Sequence, residues 1–198
     1  MLHRTDMMNR LVVLATVFAL ISLWILVAGV VKSNGTEWHP DGPSFEISGT
    51  AGAWFKRAKP FCNSVEADTW LQSNPPPESL EGIGYAAACR ALAGDIDGAR
   101  AQLVRVDPDD RWKAAGIVFG VGHPVADAGD DRSAGPIMEL VVEFWPNHYM
   151  ALYHAGASNY QLGRTEAARR YLRDFVGLYE VDDGWRRNAV QMLSNIQG

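Results

Sequence analysis

Residues 122–136, GHPVADAGDDRSAGP, put a histidine, three aspartates and two prolines into fifteen consecutive positions. Imidazole nitrogen and carboxylate oxygen are donors for divalent cations, and a histidine beside a carboxylate is also a pair from which general acid–base chemistry is built. His123 and Asp127 stand four apart, on one face if the segment is helical. A calcium or zinc ion held by His123, Asp127, Asp130 and Asp131 is therefore one reading. Against it, the acidic spacing departs from the D-x-[DN]-x-[DN]-G calcium loop, and zinc would want more histidine or cysteine. The other reading is a solvated turn in which Ser133 or Asp131 caps the helix that follows, where a carboxylate also suits the helix dipole. Pro124 lacks an amide donor and Pro136 suits a first helical position, so this reading predicts a long turn.

Nothing else in the chain adds chemistry. There is no glycine-rich phosphate loop, nucleophile elbow or H-E-x-x-H, and the histidines (His3, His39, His123, His148, His154) are scattered. His148 and His154, six apart, share no helical face well and are read as surface or groove residues. The sequence assigns no catalytic residue, metal or cofactor. A net charge of -5 with pI near 5.5, and no cluster of Lys and Arg, also argues against a nucleic-acid partner.

The elements that would carry these residues begin with Leu11 to Val31, LVVLATVFALISLWILVAGVV, 21 residues without a charge. As a helix this segment would be about 31 Å long, enough to span a bilayer and longer than the apolar core of a signal peptide. Arg4 and Arg10 precede it, Lys32 alone follows closely, and the next Lys or Arg is Lys56, so residues 1–10 are expected to stay in the cytoplasm. The rest would face the periplasm or an equivalent space outside the inner membrane. Residues 32–50, rich in Gly, Pro, Ser and Thr, read as a flexible linker, and residues 51–198 as one helical domain of globular composition.

Inside that domain Gly94, Gly129 and Gly163 recur 35 and 34 residues apart. Seven residues before each stand Ala87, Gly122 and Gly156. Five after come Ala99, Ala134 and Ala168; nine after, Leu103, Met138 and Leu172; twelve after, Val106, Val141 and Phe175. Four offsets shared by three copies mark a repeat of helix pairs, each pair needing its neighbours to bury its apolar stripe.

The pattern resembles the tetratricopeptide repeat, most clearly in LYHAGASNYQLGRTEAARRYLRDF (152–175). The resemblance covers roughly residues 80 to 180 and departs from the family where Ile83, Val118 and Leu152 replace its early aromatic. It implies an all-α helix-turn-helix solenoid, with repeats around 80–112, 113–147 and 148–180 and a capping helix over 182–197. It further implies a concave groove for a protein partner, lined by Phe119, His123, Asp127, Met150, Tyr153, Tyr160 and Gln161. Upstream, Gly52 to Gln72 reads as a degenerate opening pair, interrupted at Pro60 and ended by Pro75-Pro76-Pro77.

The cysteines, Cys62 and Cys89, sit at equal distances from that proline turn. In an antiparallel hairpin outside the cytoplasm they would lie level and form a disulfide; the alternative is two buried small apolar side chains. The expected function is a single-pass membrane scaffold or assembly factor that binds another protein. The alternatives are a permanent accessory subunit of a larger membrane complex and a metal-binding or enzymatic envelope protein.

Overall fold

The computed structural model describes residues 49–197, which form helices and no strands. α1 (Gly49–Ala58) and a 3-10 turn (Lys59–Phe61) lead to α2 (Ala67–Ser73). Three helix pairs follow: α3 (Leu80–Leu92) with α4 (Ile96–Val104), α5 (Arg111–Asp127) with α6 (Asp131–Phe144), and α7 (Tyr149–Gln161) with α8 (Thr165–Leu178). α9 (Gly184–Gln197) closes the chain. Packing follows chain order: α3 lies on both α4 and α5, α6 on α5 and α7, α8 on α7 and α9, while α1 covers α3. The flexible linker expected over 32–50 gives way to helix at Gly49. Among the described residues no helix is long and apolar enough to cross a membrane, and the expected spanning segment 11–31 lies outside them.

One turn is made three times. Gly94, Gly129 and Gly163 have φ of 83°, 77° and 72°, a conformation in which glycine meets no side-chain penalty. Each glycine N–H donates to the carbonyl three residues back (Ala91, Ala126, Tyr160), and the next N–H reaches the carbonyl five residues back (Arg90, Val125, Asn159). This doubly bonded glycine cap satisfies carbonyls that the helix end would otherwise strand. Side chains then start the next helix in two of the three copies: Asp95 accepts from Gly98 N at 2.9 Å and Asp130 from Ser133 N at 3.2 Å.

The middle turn is therefore as short as the others, which corrects the sequence expectation. Pro124 stays inside α5 and Pro136 inside α6, and the cap is Asp130 instead of Ser133 or Asp131. Pro124 deprives the carbonyl of Gly120 of its donor, but Gly120 is exposed and has only backbone to offer water, so the helix continues.

Between the helices of a pair, the repeated small and apolar positions form the contact. Ala99, Ala134, Ala168, Leu103, Met138, Leu172, Val141 and Phe175 are fully buried, and Val106 is nearly so. A Cβ on Gly122 would stand 2.6 Å from Ile137 Cγ2, and one on Gly156 would stand 2.7 Å from Leu172 Cγ and 3.1 Å from its backbone nitrogen. The missing methyl lets the two helices touch.

The disulfide expected from the sequence is present, with the Cys62 and Cys89 sulfurs 2.01 Å apart. Cys62 is not helical, however. It follows the 3-10 turn that contains Pro60 and shares a buried cluster with Trp54, Leu71 and Tyr85, so the bridge ties the opening segment to α3. Beside it, Arg90 Nη1 bonds both Asp68 (2.8 Å) and Asp95 (2.6 Å), joining α2 to the first glycine turn. α9 begins at Gly184, and the Asp183 carboxylate accepts from Trp185 N and Arg186 N as its cap.

Two stability experiments follow. Gly156→Ala is expected to cost about 1–3 kcal/mol by overpacking. Gly177→Ala, with open space around it in α8, should instead gain about 0.5–1 kcal/mol; urea unfolding that ranked the two the other way would contradict the close-approach account. Removing the bridge by Cys62→Ser/Cys89→Ser should cost about 3–4 kcal/mol on the loop-entropy estimate, read from the same unfolding curves.

Candidate functional site

The first helices of the second and third pairs bring together residues that lie far apart in the chain. His123 and Asp127 sit in the last turns of α5, and His154 in the middle of α7. The Nε2 atoms of His123 and His154 are 3.0 Å apart. Asp127 Oδ1 is 3.5 Å from His123 Nε2 and 3.9 Å from His154 Nε2. His154 is buried, His123 mostly so, and the Asp127 carboxylate is half exposed at the rim.

Aromatic rings hold the imidazoles. Phe119 stacks on His123 at 4.8 Å and also meets His148 at 4.1 Å. Trp145 stands edge-on to His148 at 4.5 Å and to Trp112 at 5.0 Å. On the other side His154 is edge-on to Tyr153 (5.3 Å) and Trp185 (5.8 Å), so α9 supplies part of the wall. Such rings exclude water and restrict the imidazole planes.

The electrostatics follow from this enclosure. His154 is held down at about 4, chiefly by burial, with the neighbouring His123 and His148 also contributing. His148 is likewise held at about 4, chiefly by burial and against a backbone hydrogen bond that raises it, with His123 also contributing to the fall. Both are neutral at pH 7, each ring keeping one N–H donor and one nitrogen that can accept. His148 uses this at the start of α7, where its Nδ1 accepts from Ala151 N at 3.1 Å and caps the helix. Its neutral state is thus part of the fold.

The other residues expected at the site are placed differently. Asp130 caps α6, and Asp131 accepts from the buried Ser158 hydroxyl at 3.0 Å, so neither joins His123. Tyr153 is buried, edge-on to Trp185 at 4.9 Å, and Tyr160 contacts α9 through a hydrogen bond from Asn195 Nδ2 at 3.0 Å. Phe119 and Met150 are half-buried, and Gln161 is exposed. His154 was missed as a site residue because it was compared with His148 on its own helix. Its signal lay across the repeat: it stands nine residues before Gly163, while His123 stands six before Gly129.

A separate cleft of about 510 Å³ opens between the second helices, lined by Ile96, Arg100, Glu139, Glu143, Arg170 and Asp174 among others. Within it Arg100 and Glu143 form an ion pair at 2.9 Å. It brings together no histidine or cysteine.

No known family, characterised protein or solved structure is significantly similar to the chain.

The neutral histidines set a pH dependence. An imidazole held near 4 in the folded chain, against its ordinary 6.5, binds its proton more readily once unfolded. The stability this gives is fully present above about pH 6.5 and is lost as pH falls towards about 4. The urea midpoint of the metal-free chain is expected to fall across that window. His148→Asn, which keeps a capping acceptor, should flatten part of the fall; a variant profile as steep as the parent's would contradict this assignment.

Proposed function

We propose that the protein is a membrane-anchored, exported helical scaffold or assembly factor of tetratricopeptide-repeat type, which binds another protein along the face formed by its first helices. The observation that carries this reading is the threefold recurrence of one unit. Three helix pairs share a positive-φ glycine turn, buried Ala and large apolar residues at the same offsets, and chain-order packing. Stacked pairs of this kind make extended surfaces for which binding is the usual use.

Two further features support it. The buried Cys62–Cys89 bridge fits an oxidising compartment, as expected if residues 11–31 anchor the chain and the helical domain is exported. The first-helix face keeps Phe119, Met150, Asp127 and Gln161 half-buried or exposed, an apolar and acidic strip without a basic clamp for acidic chain ends. The partner surface is therefore expected to be apolar with basic or neutral polar groups, and nucleic acid is not expected.

The test is recovery of a partner with the full chain after gentle detergent solubilisation. A Met150→Lys/Gln161→Lys variant with unchanged unfolding should lose at least about tenfold of the recovered partner, an added positive charge against an apolar or basic partner surface being disfavoured by roughly 1–3 kcal/mol or more. Equal recovery by both proteins would contradict binding on this face.

A further inference from the structure

We propose that His123, His154 and Asp127 form a zinc site that ties the C-terminal end of α5 to α7. Two imidazole nitrogens and one carboxylate oxygen, all ordinary zinc donors, form a triangle with sides of 3.0, 3.5 and 3.9 Å. Donors of a tetrahedral zinc ion at bonds of about 2.0–2.1 Å stand about 3.3 Å apart. A circle through the three atoms as they stand has a radius of about 2.0 Å, itself a zinc–nitrogen bond length. An ion can therefore take its place among the three donors with shifts of only a few tenths of an ångström.

The surroundings favour the ion. The rings of Phe119, Tyr153 and Trp185 hold the imidazoles in place, so little side-chain freedom is left to lose on binding. Asp127 gives the site a negative charge at its half-exposed side. Nitrogen and carboxylate donors without thiolate suit zinc better than the harder calcium, which needs six to eight oxygens. Three protein donors leave the fourth tetrahedral position to water or to a donor group from a bound partner.

The site does not depend on the proposed protein binding, because all its donors belong to this chain. Its mechanical consequence is specific. His123 and Asp127 belong to the second helix pair and His154 to the third, so the ion would fix the angle between adjacent pairs and hence the shape of the face they share.

The test uses the full chain in detergent, stripped with EDTA and titrated with zinc chloride by calorimetry. Cobalt(II) absorption in the visible provides a second readout of coordination. One equivalent of zinc per chain is expected, with at least about tenfold weaker binding in Asp127→Asn and in His123→Gln. Asp127 is half exposed, so Asp127→Asn keeps the fold, which its circular dichroism verifies. His148→Asn should bind as the parent does. No saturable uptake by the parent chain at millimolar zinc would overturn the proposal, as would one-equivalent binding that is unchanged in both Asp127→Asn and His123→Gln.

Discussion

The close approach of paired helices is the constraint on which the rest of the structure depends. Gly122 and Gly156 carry no Cβ at points where one would stand under 3 Å from a side chain of the next helix. A turn of only three residues, built on a glycine of positive φ, returns the chain quickly enough to keep that contact. Given both features, the alanines and large apolar residues of the second helix fall into the interface without further specification. The glycine turn recurs in three helix pairs, which pack on one another in chain order.

From this stacking comes the one concentrated piece of chemistry among the described residues. His123 and His154 are 31 positions apart, and no local rule brings them together. They meet because a residue six before one turn glycine and a residue nine before the next face each other across adjacent first helices. Phe119, Tyr153 and Trp185 then enclose the contact, and burial holds His148 and His154 neutral. The site is thus a product of the register between pairs, and any ligand that binds it acts on that register. The disulfide plays a comparable part at the other end, fixing the irregular opening segment to α3 where no repeat is available to do so.

Much of the fold was legible in the sequence because the repeat is written in residue types with narrow physical meaning. Glycine at a helix end, small residues seven before it and alanine five after it leave few geometries open. The disulfide was legible for a related reason: the proline run set the centre of a hairpin, and the two cysteines were equidistant from it. The prolines mislead: Pro124 and Pro136 point to a longer middle turn, yet an exposed Gly120 and solvent-facing helix surface tolerate the missing hydrogen bonds. The site was half legible. His123 and Asp127 share a helix, so their spacing exposed them, whereas Asp130 and Asp131 looked like their companions only because they are close in sequence. His154 needed the inter-pair register, which the repeat period contains but which comparison within one helix cannot reveal.

The central claim is the register that places α5 against α7. Its most direct measurement is a nuclear Overhauser experiment on the full chain in detergent micelles with the histidine rings assigned. Ring centroids 4.8 Å apart predict a cross-peak between ring protons of His123 and His154, together with one between His154 and Trp185. A spectrum in which His123 shows contacts to Phe119 but none to His154 would contradict the stacking described.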